Sequence, residues 1–321
     1  MTTLITGGFG FIGGHVVRKF MDAGETIVVT SYDNTTPPSF LNQACHDGLP
    51  VIRCDIGEPG QICELVKKYE IDTIVNLAIH RKSSPDPAED IRINMDKLSY
   101  FFDGALKGGV KKLFWASNGA VFSELPQGPF SEDTAISLTG NVQPGAFKKA
   151  WEILAHNFAN NYQNSASMRI ISMRISGVFG PTYRSMLNLP SRLCHAAVRN
   201  IQPDFSIARG GIPYANATFD LTYVKDVADA ILSLSKAPDL SHSAYNISRN
   251  TTVTAQELVD AVSSVKSNFN VELQAGPGPN YRPDAYLSNT RIISETDWKP
   301  KFDINAGIQD YLDWLNSKEE Y

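Results

Sequence analysis

The sequence is poor in cysteine, has no excess of basic residues and contains no long apolar run. Its four cysteines lack the close pairing of a metal knuckle or a redox motif. The formal net charge of −5, without any basic block, argues against a general affinity for nucleic acid or anionic membranes. A transmembrane helix needs about 18 or more consecutive apolar residues, and no such run is present. We therefore expect a globular protein of the reducing cytoplasm that acts on a small molecule.

Short β-rich runs alternate with helical patterns in the first half of the chain. This alternation is typical of βαβ units and a parallel sheet. Six strands are expected, at Thr3–Thr6, Ile27–Thr30, Val51–Arg53, Thr73–Asn76, Lys112–Ala116 and Arg169–Arg174. Helices are expected near 11–22, 60–69, 87–107 and 145–162. The pattern predicts an α/β protein with a Rossmann doubly wound parallel sheet.

The second half changes character after Gly180-Pro181, with more loops, more glycine and proline, and shorter elements. Its helices are expected near 186–199, 225–235, 254–266 and 304–316, and Thr254 followed by Glu257 predicts a capping box at the third. We therefore predict a Rossmann domain over residues 1–175 and a smaller C-terminal α/β domain over residues 176–321, with some segments interleaved.

A glycine-rich segment, LITGGFGFIGGHVV, joins the first predicted strand to the first predicted helix. Gly8, Gly10 and Gly13 have the G-x-G-x-x-G spacing of a dinucleotide-binding loop. The first glycine permits a tight turn, the second lets the backbone approach a pyrophosphate, and the third lets helix and strand pack closely. The phosphates then lie at the positive N-terminus of the helix. The context favours an NAD(P)-binding loop over an ordinary turn.

The choice between NAD and NADP depends on the end of the second strand. An acidic residue about 20 positions beyond the glycines usually binds the ribose hydroxyls. Asp33 fits this count. The strand is expected to end near Ser31, however, so that Ser31 then stands where such folds usually have the acidic residue. No arginine follows that would attract a 2′-phosphate. We expect NAD, and NADP stays open.

Further motifs, in order along nearly the whole chain, resemble those of the extended short-chain dehydrogenase/reductases, the NAD-dependent epimerase/dehydratase family. They are TGGFGFIGG, CDIGE (54–58), NLAIH (76–80), RINMD (92–96), LFWASNGAVFSE (113–124), RISGVFGP (174–181), DLTYVKDVADAI (220–231) and YNIS (245–248). The resemblance implies NAD(P) between the two domains, and a homodimer through the helices near 87–107 and 145–162. The cofactor-binding residues that we infer are Gly7, Gly10, Phe11, Ile12, Gly13, Ser31, Asp33, Asp55, Ile56, Leu77, Ala78, Ile79, Asn94, Ala116, Lys148 and Val178.

The catalytic residues of that family are a Tyr-x-x-x-Lys pair and a Ser/Thr, and two of these three positions differ here. In VQPGAFKKAWE, Glu152 sets the register, so that Lys148 is the family lysine and Pro144 takes the place of the tyrosine. Asn118 takes the place of the Ser/Thr, beside Ser117. Proline cannot transfer a proton, and asparagine can hydrogen-bond an oxygen but cannot shuttle a proton at neutral pH.

Other residues are therefore candidates for the acid/base. The resemblance places His80, the Arg81-Lys82 pair, Tyr183, Ser117 and Lys148 near the nicotinamide or the substrate. His80 and Tyr183 are equally compatible with ordinary loop residues, whereas a desolvated lysine can itself act as a base. The remaining histidines form no ligand spacing, so no metal is predicted.

The substrate-binding residues that we infer are Asn118, Tyr183 and Arg282. In the family, an arginine before the Asp-Tyr segment often binds the diphosphate of a nucleotide sugar, and Phe219 occupies that position here. Arg282 matches the position of a second phosphate-binding arginine. Because half of this phosphate clamp is missing, we expect a smaller hydroxylated, carboxylated or aromatic compound at least as much as a nucleotide sugar. For the reaction itself we expect a small hydroxylated or carbonyl substrate.

Three functions remain open at this point. The first is an NAD(P)-dependent enzyme that acts by oxidation and reduction with altered acid/base residues. The second is a catalytically degenerate dinucleotide-binding protein, and the third is a non-redox lyase or isomerase on the same scaffold.

Overall fold

A computed structural model describes residues 1–78, 85–138, 143–161, 168–206 and 211–317. The strands are β1 Thr2–Thr6, β2 Thr26–Ser31, β3 Val51–Arg53, β4 Ile71–Asn76, β5 Lys112–Asn118, β6 Arg169–Ile175, β7 Gly177–Phe179, β8 Thr218–Tyr223, β9 Ala244–Ile247 and β10 Thr252–Thr254. The helices are α1 Phe11–Asp22, α2 Asn42–His46, α3 Gln61–Lys68, α4 Pro87–Gly108, α5 Gln143–Asn161, α6 Leu189–Arg199, α7 Val224–Lys236, α8 Ala255–Val265, α9 Thr290–Glu295 and α10 Ile304–Asn316. Short 3-10 turns lie at Ser39–Leu41 and Gly119–Phe122.

Seven strands form one parallel sheet in the order β3-β2-β1-β4-β5-β6-β9. The order reverses at β1, as it does in doubly wound Rossmann sheets, and this confirms the predicted fold class. A second, smaller sheet has the order β10-β8-β7, with β7 parallel and β10 antiparallel to β8.

Successive residues of the central strands are buried on opposite faces of the sheet, which explains why these strands are apolar throughout. Leu4 packs with α3 and α4 on one face, and Ile5 packs with α1 and α7 on the other. In the same way, Val28 packs on the face of α3 and α4, and Val29 packs on the face of α1 and α7. A third core, between α6, α8 and α10, belongs to the second half of the chain.

The six strands predicted from the sequence are present, with ends that differ by a few residues. The prediction of six was nevertheless incomplete, because β9 adds a seventh strand beside β6 from far along the chain. This strand has four residues and no alternating pattern of its own, so its sequence carries little strand signal. The capping box at Thr254 and Glu257 is confirmed.

The segments that leave the carboxyl ends of β1 to β6 meet along one edge of the sheet. In open α/β sheets, ligands bind in the crevice outside this edge. The fold therefore brings the residues that follow these strands together as one candidate site.

Candidate active site

The loop after β1 is shaped by glycines that leave no room for side chains. Gly7 has a φ of +68°, and a Cβ added to it would lie 2.9 Å from the backbone nitrogen of Ala78. A Cβ on Gly13 would lie 2.0 Å from the carbonyl oxygen of Gly7. Gly10 precedes α1 and provides no side-chain cap, and the first turn of α1 has no acidic residue. The loop thus offers bare backbone at a positive helix end, which fits the pyrophosphate of a dinucleotide.

The turn after β2 is tied to this glycine loop. Ser31 is the last residue of β2, and its hydroxyl donates to the carbonyl oxygen of Asn34 at 2.5 Å. The amide of Asn34 in turn donates to the carbonyl oxygen of Phe9 at 2.6 Å. Asp33 is exposed in the same turn. Ser31 thus stands at the strand end where an acidic residue usually binds ribose.

The segment after β3 is fixed to α4 by a half-buried ion pair. The carboxylate of Asp55 accepts from Lys97 at 2.8 Å and from the backbone of Gly57 at 2.9 Å. Asn94, one turn before Lys97, is buried and donates to the carbonyl oxygen of Asp90 at 2.8 Å. These contacts position the loop that contains Ile56.

Lys148 lies in α5 with its side chain buried against β5. Its Nζ donates to the carbonyl oxygen of Ala116 at 2.5 Å and lies 5.2 Å from the ring centre of Trp151 and 5.9 Å from that of Trp115. Burial lowers the pKa of Lys148 to about 8, against the opposing effect of Glu152. The chain thus presents a desolvated amine at the carboxyl edge of the sheet.

Glu152, one turn beyond Lys148, anchors α5 to β6. Its carboxylate accepts from Arg174 at 2.8 and 3.0 Å, and both side chains are buried. Arg174 also donates to the carbonyl oxygen of Glu132 at 3.0 Å. A buried, charge-assisted pair of this kind fixes the rotation of the helix, and hence the position of Lys148.

The two residues at the end of β5 differ in their hydrogen bonding. Asn118 accepts a bond of 3.1 Å from the backbone nitrogen of Ala120 and so caps the 3-10 turn that follows. The hydroxyl of Ser117 is buried, and it has no hydrogen-bond partner in the described part of the chain. Asn118 therefore has a structural role, and Ser117 has unused bonding capacity.

Tyr183 lies beside the cofactor loop. Its ring centre is 5.0 Å from that of Phe11, in an edge-to-face arrangement. Val178, in β7, packs against the core that contains α1, and its carbonyl oxygen accepts from Asn188 at 2.9 Å. The structure thus places the Tyr183 ring against Phe11, the first residue of α1.

Arg282 and Phe219 do not form a free anion clamp. The Nη1 atom of Arg282 donates to the carbonyl oxygens of Phe122, Ser123 and Leu125 at 3.0, 3.1 and 3.2 Å. Phe219 is half-buried against the third core. Arg282 thus holds the turn that follows Asn118.

Some predicted residues lie outside the part of the chain that the structure describes. These are Ile79, His80 and the Arg81-Lys82 pair. The backbone of Pro144 is described as the second residue of α5, and its side chain is not. Leu77 and Ala78 follow β4, and the amide of Leu77 donates to the carbonyl oxygen of Thr6.

The sequence prediction missed the aromatic residues around Lys148. Trp115 and Trp151 pack edge to face, 5.8 Å apart, and Phe147 stacks on Trp151 at 6.0 Å. Both indole nitrogens are buried without a hydrogen-bond partner in the described residues. Trp151 occurs three residues after Lys148, a helical spacing that could have indicated the contact.

A parallel sheet with a glycine loop at its switch point and a lysine beside β5 defines a dinucleotide-binding protein. The chain belongs to the NAD dependent epimerase/dehydratase family, whose sequence model matches residues 3–248. Dinucleotide chemistry with NAD is therefore characteristic of its relatives, and the glycine loop fits this cofactor.

Relatives and solved structures cover nearly the whole chain. UDP-glucuronate 4-epimerase 1 of Arabidopsis thaliana is 24% identical over 100% of this chain and 78% of its own length. The UDP-glucose 4-epimerase of Thermotoga maritima, solved with UDP-glucose, has a TM-score of 0.80 at 20% identity and full coverage of both chains. The dTDP-glucose 4,6-dehydratase of Bacillus anthracis, solved with NAD, has a TM-score of 0.80 at 21% identity, covering 99% of this chain and 97% of its own. At these identities the structural similarity shows the fold.

Metal-ligand clusters and membrane-spanning helices are both absent from the described residues. These residues contain no group of three or more metal-ligating side chains arranged to hold an ion. Within the same residues, no helix has the length and hydropathy that a membrane span requires.

Proposed function

We propose that the protein is an NAD-dependent enzyme that oxidises and reduces a hydroxyl-bearing carbon of a small hydroxylated or carbonyl substrate, with Lys148 as the acid/base. The observation that carries this proposal is the buried amine of Lys148 at the carboxyl edge of the sheet. The family lysine is retained in this position although proline takes the place of the tyrosine.

Lys148 is suited to accept a proton from a hydroxyl group. A general base works best when its pKa is near the operating pH, and burial brings the pKa of this amine to about 8. The two tryptophans exclude water from one side of the amine, and the Ala116 carbonyl oxygen fixes its position. The substrate hydroxyl would approach from the open edge of the sheet.

Other residues of the chain hold the cofactor and orient the substrate. The glycine loop would hold the pyrophosphate, Ser31 and Asp55 would lie toward the adenosine half, and Ser117 would supply a hydrogen bond to the reacting oxygen. When bound, NAD would supply hydride acceptance and return. Ser31 places no carboxylate at the end of β2, so this strand end does not select against the 2′-phosphate of NADP.

The residues around the substrate side favour a compound without a diphosphate. The relatives named above act on nucleotide sugars, and an anion clamp there needs free guanidinium groups. In this chain Phe219 offers none, and Arg282 uses Nη1 to hold three carbonyl oxygens. A small polyol, hydroxy acid or free sugar is therefore the proposed substrate class.

A catalytically degenerate dinucleotide-binding protein is the second candidate. It is favoured by Asn118, whose side-chain oxygen caps a turn and so is engaged in the fold. A non-redox lyase or isomerase on the same scaffold is the third candidate, and it differs in leaving the nicotinamide unchanged.

One experiment separates these functions. The protein with bound NAD is mixed with polyols, hydroxy acids, free sugars and nucleotide sugars, while nicotinamide absorbance and product formation are followed. The proposal expects transient or net nicotinamide reduction that falls about 100-fold or more in Lys148→Met. Lys107→Met, an exposed lysine of α4, is the control and should keep the wild-type rate. Product without nicotinamide reduction indicates the lyase or isomerase, and NAD binding without any product indicates the degenerate protein.

We also propose that the protein is a homodimer through α4 and α5. Large apolar side chains are exposed on both helices, namely Ile91, Tyr100, Ile153 and Leu154. Apolar surface concentrated on two neighbouring helices is typical of a protein interface. The same helices form the dimer that the family resemblance implies.

A further inference from the structure

A cavity of about 520 Å³ lies along α1, between this helix, α7 and the segment that leads into α10. None of the residues inferred to bind cofactor or substrate lines it. Protein interiors are packed with few voids larger than a water molecule, and small-molecule sites usually measure about 300 to 1,000 Å³. The cavity therefore has the volume of a ligand site. It is distinct from the candidate site at the carboxyl edge of the sheet.

Aromatic and apolar side chains form much of the cavity wall. Phe40, Phe302 and Trp314 are each half-buried, with part of the ring left uncovered. Pro181 and Ala228 complete the apolar lining. Such walls suit a flat apolar group, because aromatic rings pack best in stacked or edge-to-face contact with another ring.

The charged side chains that line the cavity carry a positive excess, because there are four cations, Arg18, Lys19, Lys225 and Lys301, and two carboxylates, Asp22 and Asp229. Asp229 is shared by two lysines, since one carboxylate oxygen pairs with Lys19 and the other accepts from Lys301 at 2.7 Å. Arg18 pairs with its own carboxylate, that of Asp22, at 2.9 Å.

The remaining ionisable groups do not remove this excess. Lys225 pairs at 2.8 Å with Asp310, a carboxylate that does not itself line the cavity. His15 also lines the cavity, and burial lowers its pKa to about 4, so that it is neutral at pH 7. Within the lining, Lys19 and Lys301 share the single carboxylate of Asp229.

We propose that this cavity binds a small planar aromatic monoanion, a carboxylate or a sulfonate. Its ring would lie against Phe302 and Trp314, and its acidic group would meet the two lysines that share Asp229. The side chain of Lys301 is 66% exposed, and exposed ion pairs are weak, so it can turn to an anion at little cost.

The test uses naphthalene-2-carboxylate as the probe and the neutral naphthalene-2-carboxamide as its matched analogue. Binding is measured by calorimetry on the full chain with saturating NAD, so that the dinucleotide site is filled. The indole N–H resonance of Trp314, assigned from Trp314→Phe, reports where the probe binds. Lys301→Gln removes one of the two lysines, and Lys236→Gln in α7, outside the cavity, is the control.

The carboxylate should bind one site per chain, about fivefold more tightly than the amide, and should shift the Trp314 resonance. Lys301→Gln should weaken binding of the carboxylate about three- to fivefold and leave the affinity for the amide unchanged. Lys236→Gln should change neither affinity. Absence of binding, equal affinity for the two probes, equal affinity of wild type and Lys301→Gln, or an unmoved Trp314 resonance would each overturn the proposal. None of these outcomes depends on catalytic activity.

Discussion

Lys148 and Ala116 are joined by a hydrogen bond of 2.5 Å between the lysine Nζ and the strand carbonyl oxygen. This bond places the amine near the carboxyl end of β5, where we propose that the substrate reacts. The lysine is held there by strand and helix, and its position does not require a tyrosine four residues earlier. Pro144 is compatible with the same helix, because proline is well tolerated in a first helical turn.

The pH dependence of the reaction follows from this position. If Lys148 is the base, only its neutral form is active, and its pKa is lowered to about 8 by burial. The rate of nicotinamide reduction should therefore rise with pH and level off above about pH 8. Replacing Trp151 by Leu admits water to the amine, raises its pKa and should move the rise to higher pH. A rate that is flat across this range, with NAD binding intact, would contradict Lys148 as the base.

The proposed dimer can be tested at α5. Ile153 is 54% exposed, and Ile153→Glu places a charge in the interface that α4 and α5 are proposed to form. Sedimentation of the wild type should show a dimer. In the variant, the dissociation constant of the dimer should rise at least tenfold. Ile201→Glu is the matched control, since Ile201 is 55% exposed and lies outside both helices. A wild type that sediments as a monomer rules out this interface.

The glycine loop predicts a difference between two glycine-to-alanine changes. In Gly13→Ala the new Cβ would lie 2.0 Å from the Gly7 carbonyl oxygen, so the loop must move. NAD affinity should then fall at least tenfold, by about 1.4 kcal/mol or more. Gly24→Ala is the control, because its φ of +73° is strained but nothing lies within 4 Å of the added Cβ. It should cost about 1 to 2 kcal/mol of stability and leave NAD binding unchanged. Equal NAD affinity in both variants would contradict the role of the loop.

The features predicted from the sequence are those encoded within a few neighbouring residues. The spacing of Gly8, Gly10 and Gly13 and the capping box at Thr254 are local, and the apolar strands have a recognisable length. The place of Lys148 in the family motif followed from the register set by Glu152, and its catalytic role stays a prediction. These elements depend little on the rest of the fold.

The features that were missed depend on contacts between distant parts of the chain. The strand β9 becomes a strand only by pairing with β6, some 70 positions earlier, and four residues carry no periodic signal. The contact of Trp115 with Trp151 joins a strand to a helix. The carbonyl oxygens that Arg282 binds lie about 160 positions away, so an arginine that matches a phosphate-binding motif has a structural contact that its local sequence does not reveal.

Asp220 gives the stability of the protein a pH dependence of definite sign. It lies in β8, where its carboxylate accepts from the Ser248 hydroxyl at 2.7 Å and from the Leu287 backbone at 2.8 Å. Burial raises its pKa to about 7, and these two hydrogen bonds only partly oppose the rise. In the unfolded chain an aspartate has a pKa of about 3.9.

Between about pH 4 and pH 7 the folded protein therefore binds a proton at Asp220 that the unfolded chain releases. The stabilisation from this site is complete below about pH 4 and is lost as the pH rises through about 7, on the order of 4 kcal/mol in all. Asp220→Asn cannot titrate, so urea unfolding should show wild type losing stability relative to the variant as the pH rises from about 4 to 8. Asp96→Asn, in an exposed pair with Arg92, should follow the wild-type curve at every pH. Parallel curves for wild type and Asp220→Asn would show that the carboxyl has the same pKa in both states, and the burial of Asp220 would then have no consequence for stability.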